Sequence, residues 1–312
     1  MKKIAALNIR RTLQSAPPVL DFVLPGLTAG SVGTVVGAGA VGKTTMLMQL
    51  GVALATGSAV FDGLANNGNP ARVVFVAAEE SADILRIRLH AINNWMLSNK
   101  AQVSLPGSES AIDATDLMEA NLFMVAAAGQ AVSLLKNGVT TDFFSALCEF
   151  CKGARLVIID PLRRLHDGDE NSSAAMTDVV QILEALAKQT GAAVIVAHHV
   201  NKASHFNDSG NSAGASRGSS ALTDAVRWQL NLSGMSEKDA KAFRITGQHK
   251  SYLRVDFAKA NYIAPEPTIW LRRQEGGVLT RIFLEAGAIE KGSFREVPKK
   301  TTVRSGQGKV YV

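Results

Sequence analysis

The chain has 312 residues, 46% of them hydrophobic and 19% charged, with a formal net charge of +6 at pH 7. This length fits one large domain or two small ones, and the apolar content is ample for a buried core. The apolar runs are too short to span a membrane and the first residues lack an apolar signal core, which argues against membrane and secreted proteins. We therefore expect a cytoplasmic protein with no membrane partner.

Short β-branched runs alternate with longer helix-like segments from residue 31 onward. This alternation predicts an α/β fold, in which a mostly parallel twisted sheet is flanked by helices on both faces. The predicted strands of this part are 32–36, 73–77, 122–125, 156–160 and 193–198. The predicted helices lie near 44–55, 81–97, 141–152 and 173–189.

The first predicted strand leads into GAGAVGKT, which fits the P-loop pattern GxxxxGKT. In such a loop, glycines let successive N–H groups and a helix N-terminus face phosphates, so ATP is the predicted ligand. Lys43 would place its charge between the β- and γ-phosphates, and the Thr44 hydroxyl would bind Mg²⁺. The predicted nucleotide-binding residues are Gly37, Ala38, Gly39, Ala40, Val41, Gly42, Lys43, Thr44 and Thr45.

Three later strands end in side chains that would complete a hydrolytic site. Asp160 ends the apolar strand LVIID, the Walker B arrangement, and is predicted to hold Mg²⁺ through water; a helix cap before Pro161 is the alternative. Glu79 and Glu80 end another strand, and we choose Glu79 as the general base, with Glu80 as the fallback. The alternative is that both carboxylates only stabilise the N-terminus of the next helix through its dipole. His199 ends a third strand and is predicted to sense the γ-phosphate.

Cys148 and Cys151 form a lone CxxC in a helix-like segment. Helical spacing groups them with Phe144 and Leu147, which favours core packing over redox or metal chemistry.

The chain changes character after His199. Residues 201–220 are rich in Gly, Ser and Asn, which predicts a functional or disordered loop. Further strands follow, and residues 274–277 (QEGG) suggest a hairpin turn, so we expect an antiparallel C-terminal extension. The strands predicted there are 226–232, 252–258, 268–272 and 278–284.

The order of P-loop, strand-Glu, LVIID, strand-HH and glycine-rich loop resembles the RecA-like core of hexameric replicative helicases of the DnaB superfamily. Within that group, the chain is similar over about residues 12–284 to the RepA-type helicases of IncQ-like plasmids. The segments that carry this similarity are APPVLDFVLPGLTAGSVG, IIDPLRRLH, AHHVNK, SRGSSALTDAVRW, AKANY and WLRRQEGGVL.

The resemblance implies a homohexameric DNA helicase that hydrolyses ATP between subunits and moves along single-stranded DNA in plasmid or phage replication. Arg217 in SRGSS matches the arginine supplied to a neighbour's γ-phosphate, and Lys259 in AKANY matches a second basic residue at that interface. Many DnaB-type proteins have an arginine two residues after that lysine, where this chain has Asn261. Arg254 is the reserve candidate, with a surface charge as its alternative.

The resemblance also implies DNA contacts in the loops that face the channel of the ring, with an initiator and a primase as further partners. Lys202 is the first candidate for phosphate contact, and Arg163 and Arg164 are weaker ones. Two other functions stay open: a RecA-like recombination or repair ATPase that forms filaments, and a regulatory ATP-binding replication protein that does not unwind DNA. The predicted organisation is an N-terminal arm (1–30) that packs on the core or a neighbouring subunit, a RecA-like core (31–287) and a basic, disordered tail (288–312).

Overall fold

The computed structural model describes residues 6–58, 61, 64–65, 68–99, 113–199 and 220–285. Thirteen strands occur in this part of the chain, and four of them form two short hairpins. In chain order they are β1 (Phe22–Leu24), β2 (Leu27–Thr28), β3 (Val32–Gly37), β4 (Val73–Ala77), β5 (Leu122–Ala126), β6 (Leu135–Lys136), β7 (Val139–Thr140), β8 (Leu156–Asp160), β9 (Ala193–His199), β10 (Trp228–Gly234), β11 (Tyr252–Ala260), β12 (Ile269–Arg273) and β13 (Leu279–Ile282).

The other nine strands form one sheet in the order β13-β12-β11-β10-β3-β9-β8-β4-β5. The six strands from β10 to β5 are parallel to their neighbours, and β11, β12 and β13 continue the sheet in antiparallel pairs. Because parallel strands all end at the same edge, the carboxyl ends of β3, β4, β8 and β9 lie together. That edge carries the predicted site.

Eight α-helices lie in the described ranges. Side chains at several first turns explain where they begin, since the hydroxyls of Ser81, Thr141 and Ser172 each accept a backbone N–H three residues later. The helices are α1 (Ile9–Gln14), α2 (Lys43–Thr56), α3 (Ala82–Ser98), α4 (Ala114–Asn121), α5 (Asp142–Phe150), α6 (Ser173–Thr190), α7 (Ser220–Ala225) and α8 (Glu237–Ala242). None of them combines the length and hydrophobicity needed to cross a bilayer.

Two apolar cores cover the two faces of the sheet. Phe75 and Ile158 face one core together with Leu50 of α2, whereas Val157 faces the other together with Leu183 of α6. This division follows from the alternation of side chains along each strand, since both faces of a parallel sheet are covered. Because nearly every residue of α2 is buried, the P-loop helix is held on all sides by packing.

The structure confirms the predicted fold, with element ends within three residues of the predicted ones. The first strand after the Gly/Ser/Asn-rich segment, β10, differs from the expected antiparallel extension because it pairs with β3 in parallel. Cys148 and Cys151 are buried free cysteines in the core beside α6, as predicted. Burial raises the pKa of Cys151 to about 12, so its thiol stays protonated at neutral pH.

Only part of the predicted N-terminal arm packs on the core. Val23, Leu24 and Leu27, in the β1–β2 hairpin, belong to the core around α2, whereas α1 buries no side chain. The predicted tail, residues 288–312, lies outside the described residues.

Candidate active site

The predicted P-loop connects the end of β3 to the start of α2. Gly42 immediately precedes the helix with a φ of +116°, a conformation that L side chains rarely adopt. The Lys43 ammonium points back into the loop, where it donates to the carbonyl oxygens of Gly37 at 2.7 Å and Ala38 at 2.9 Å. The loop therefore has the left-handed glycine, the helix N-terminus and the inward lysine that phosphate binding requires.

Thr44 and Asp160 meet at the same edge of the sheet. The Thr44 hydroxyl donates to Oδ2 of Asp160 at 2.6 Å, and Asp160 is 6% exposed. Burial raises the pKa of Asp160 above its ordinary value, against the opposing effects of the Thr44 hydrogen bond and the Lys43 charge. Two hard oxygen donors in contact fit Mg²⁺, which binds through few protein oxygens and keeps several waters. Thr44 and Asp160 are therefore the residues that would hold the ion.

His199 extends the same cluster from β9. Its Nδ1 lies 3.2 Å from the Lys43 ammonium, which has only donors, so Nδ1 is the acceptor. Burial lowers the pKa of Lys43 to about 8, although Asp160 and Glu79 oppose the shift. Burial and the Lys43 charge also lower the pKa of His199. A neutral imidazole therefore lies against the predicted phosphate-binding lysine.

The two adjacent histidines have different surroundings because successive strand residues face opposite sides. His198 is 5% exposed, on the face of the sheet opposite His199. Burial lowers the pKa of His198 to about 4, with further contributions from His199, Lys43 and His166. His198 is thus a neutral buried residue, while His199 is the one beside the P-loop.

Glu79 and Glu80 also differ in their contacts. The difference comes from Arg88, a residue that the sequence analysis did not single out. Arg88 of α3 donates to Glu80 Oε1 at 2.8 Å and to Thr45 Oγ1 at 3.0 Å. Glu80 is therefore held in an ion pair at the start of α3. Glu79 is exposed, and its charge acts on Lys43, Asp160 and His199. Of the two carboxylates, Glu79 is the one that has no ion pair with any described residue and that lies within electrostatic reach of the cluster.

Comparison with known proteins gives the family. A family model described as an AAA domain matches residues 3–205. The chain belongs to this AAA domain family. The matched part contains the P-loop, Glu79, Asp160 and His199, so every residue of the cluster lies within the AAA domain.

Solved structures agree with this fold. A DnaB-like replicative helicase, described with its interactions with primase, aligns over 89% of this chain and 67% of its own, with 15% identity and a TM-score of 0.55. A second solved structure, described as an ATPase domain, aligns over 89% of this chain and 96% of its own, with 15% identity and a TM-score of 0.54. The RadB recombinase aligns over 80% and 90%, with 15% identity and a TM-score of 0.49, too low to carry an argument. These likenesses show the fold of the AAA domain.

Lys259 lies beyond the matched part and far from the P-loop. It pairs with Gln229, which pairs with Thr34 of β3, three residues before Gly37 and so about 10 Å along the strand. Its ammonium donates to the carbonyl oxygens of Thr223 and Asp224, each at 2.9 Å. The hydrogen bonds of its ammonium are therefore to the end of α7 and not to the P-loop.

Arg254 is paired with a buried carboxylate of its own chain, which differs from the free surface charge given as its alternative. Its Nε lies 2.8 Å from Oδ2 of Asp256, which is 3% exposed and also accepts from the Thr268 hydroxyl at 2.6 Å. Moving Arg254 away from Asp256 would leave a buried carboxylate without its charged partner, which costs stability.

The predicted DNA-contact residues are partly described. Arg163 and Arg164 are exposed on the turn after β8, and Arg163 donates to the carbonyl oxygen of Gly168 at 3.2 Å. The acidic side chains of Asp167 and Asp169 are exposed on the same segment, which weakens it as a surface for a polyanion. The predicted arginine finger Arg217 and the first DNA candidate Lys202 lie outside the described residues.

Proposed function

We propose that the chain is an ATP-dependent helicase that works as a homohexameric ring on single-stranded DNA. The observation that carries this proposal is the contact of Lys43 with His199 and of Thr44 with Asp160 at one edge of the sheet, with Glu79 beside them. These are the parts that phosphoryl transfer to water requires: a phosphate cradle, a metal site, a base and a group that contacts the γ-phosphate.

Each side chain has a definite part in the proposed reaction. Lys43 stabilises charge on the phosphates, and Glu79 accepts a proton from the attacking water. Thr44 and Asp160 would hold Mg²⁺, which supplies charge neutralisation at the β- and γ-phosphates when bound. His199 contacts the γ-phosphate and transmits its loss to the Gly/Ser/Asn-rich segment that follows β9 in the sequence.

The remaining roles belong to the neighbouring subunit. Lys259 is level with Thr34 of β3, about 10 Å along the strand from Gly37 of its own chain, and this separation supports the proposal that it reaches a neighbour's nucleotide. Arg217 is proposed to stabilise the same γ-phosphate in trans.

DNA would be held through its backbone by Lys202, Arg163 and Arg164, independently of sequence and more weakly in salt. We further propose a role in plasmid or phage replication, with an initiator and a primase as partners.

The deciding experiment measures DNA-stimulated ATPase activity together with unwinding of a forked duplex. Wild type is expected to do both, and Lys43→Ala is expected to lose both because the phosphate charge is removed. Lys152→Ala is the matched control, since Lys152 is exposed and pairs with Glu149 on the surface. ATPase activity without strand separation over a range of salt and pH would favour a regulatory module. Open filaments on DNA in electron micrographs, in place of closed rings, would favour a recombinase-like assembly.

A further inference from the structure

The C-terminal hairpin, formed by β12 and β13, is hydrogen-bonded to the P-loop helix α2 through a buried glutamine. Gln49 of α2 is fully buried, and its side-chain amide donates to the carbonyl oxygen of Leu279 at 2.8 Å and accepts from the N–H of Leu279 at 2.8 Å. Leu279 is the first residue of β13, the edge strand of the sheet. Gln49 therefore satisfies both outward backbone groups of Leu279, and it ties the start of β13 to the helix that follows the P-loop.

Arg273 lies opposite Leu279 in this hairpin and contacts the P-loop itself. Its Nη2 donates to the carbonyl oxygen of Val41 at 2.9 Å. The same nitrogen lies 3.2 Å from the point that a Cβ on Gly42 would occupy, and a methyl of Leu253 lies 3.3 Å from that point. The outer side of the Val41–Gly42 peptide is thus covered by the antiparallel extension.

We propose that Arg273 is a positioning residue for the phosphate-binding loop. A trans peptide is planar, and its C=O and N–H point in opposite directions. Because Arg273 holds the Val41 carbonyl on the outside, the N–H of Gly42 is held toward the inside, where the phosphates of a nucleotide bind. A charged donor on the carbonyl also polarises the peptide, which makes that N–H a stronger donor to an anion.

This inference depends on the proposed function only for nucleotide binding at the P-loop. It predicts that Arg273→Ala raises the dissociation constant for fluorescently labelled ADP about tenfold, the usual effect of losing a charge-assisted hydrogen bond. KM for ATP should rise similarly while kcat changes little, since the Gly42 N–H contacts ground state and transition state alike. Arg273→Lys, which keeps one charged donor, should recover part of the affinity.

Arg272→Ala is the matched control on the same strand. The Arg272 side chain lies over the Tyr252 ring and donates to Gln248, away from the P-loop, so nucleotide affinity should stay within about twofold of wild type. Melting temperatures measured with and without ADP separate a positioning role from a role in general stability. Arg273→Ala should reduce mainly the rise in melting temperature that ADP causes, and it should change the melting temperature without ADP much less. If Arg273→Ala does not fold, Arg273→Lys carries the test, with its reduced affinity expected at an unchanged melting temperature.

Wild-type affinity in Arg273→Ala, or in Arg273→Lys where that variant carries the test, would overturn the inference and leave the proposed function standing. An equal loss of affinity in Arg272→Ala would also overturn it. Failure of the wild-type chain to bind ADP at all would instead contradict the proposed function.

Discussion

The neighbouring carboxylates after β4 are chemically similar but have different partners. Glu80 is bound to Arg88, which also holds Thr45 at the start of the P-loop helix. Glu79 is free of that pair and its charge reaches Lys43. Arg88 thereby fixes the short segment that carries both residues, and it leaves Glu79 as the carboxylate available to a water molecule.

This difference predicts unequal effects of two isosteric substitutions. Glu79→Gln removes the base and should lower kcat for ATP hydrolysis by roughly 10²–10⁴-fold with nucleotide affinity nearly unchanged. Glu80→Gln keeps a hydrogen-bond acceptor for Arg88 and should lower kcat by less than about tenfold. Steady-state ATPase kinetics and nucleotide titration measure both effects. A larger loss in Glu80→Gln than in Glu79→Gln would reverse the assignment.

The buried ring of His198 should make the free energy of unfolding depend on pH. Its pKa is about 4 in the folded chain, where burial, His199, Lys43 and His166 disfavour the charged ring, against about 6.5 when unfolded. Above pH 6.5 the ring is neutral in both states. As the pH falls from 6.5 to 4, the unfolded state alone takes up the proton, so stability is lost, by about 3 kcal/mol in full.

Denaturant unfolding between pH 7 and pH 4.5 tests this dependence. His198→Gln should lose less stability over that interval than wild type, because glutamine does not titrate. His90→Gln is the control, since His90 is exposed, and its loss should equal that of wild type. Equal losses in His198→Gln and wild type would mean that His198 does not carry the effect.

The site depends on how closely β3 and β10 approach each other at the P-loop. Gly37 pairs with Leu232, and a Cβ on Gly37 would lie 2.5 Å from the Leu232 carbonyl oxygen. That atom belongs to the backbone of a central strand, so it cannot move aside alone. Gly37→Ala should therefore separate the two strands, destabilise the fold by about 1–3 kcal/mol and weaken nucleotide binding.

Gly39 provides the matched control for that prediction. It belongs to the same loop, but a Cβ there would meet nothing within 4 Å. Gly39→Ala should leave the melting temperature nearly unchanged, while Gly37→Ala lowers it by several degrees. Equal melting temperatures for the two variants would show that the approach of β10 does not constrain the loop.

The strands and their polar ends were predictable because each strand is a short apolar run that ends in a recognisable polar side chain. The meeting of Asp160 and His199 with the P-loop could be predicted in this way, since the carboxyl ends of parallel strands lie at one edge. Arg88 and Arg273 could not, because their partners are set by the packing of α3 and of the hairpin. Likewise, nothing local in β10 distinguishes a strand parallel to β3 from an antiparallel one.

The described chain contains one half of the proposed site. The P-loop cluster lies at the carboxyl edge of the parallel strands, whereas Lys259 is level with Thr34, about 10 Å along β3 from Gly37. A ring in which each subunit presents these two regions to different neighbours would complete every site, which an isolated chain cannot do. The proposal of a hexamer therefore makes activity depend on the interface as well as on the P-loop.

Mixing inactive subunits tests that dependence. Arg217→Ala should bind nucleotide but turn it over slowly, by a factor of ~10³ or more, because a trans arginine acts on the transition state. Glu79→Ala lacks the base in its own P-loop site. In a one-to-one mixture, about a quarter of the interfaces should combine an intact Glu79 with an intact Arg217. The mixture should therefore hydrolyse ATP much faster than either variant alone.

The matching control mixes Lys43→Ala with Glu79→Ala. Both changes affect the half of the site that carries the P-loop, so no interface in that mixture has a complete site and activity should stay at the level of the separate variants. Activity in the first mixture and not in the second requires that Arg217 act across an interface. If neither mixture recovers activity although mixed rings form, Arg217 does not serve the neighbouring site, and the ring would need another residue for that role.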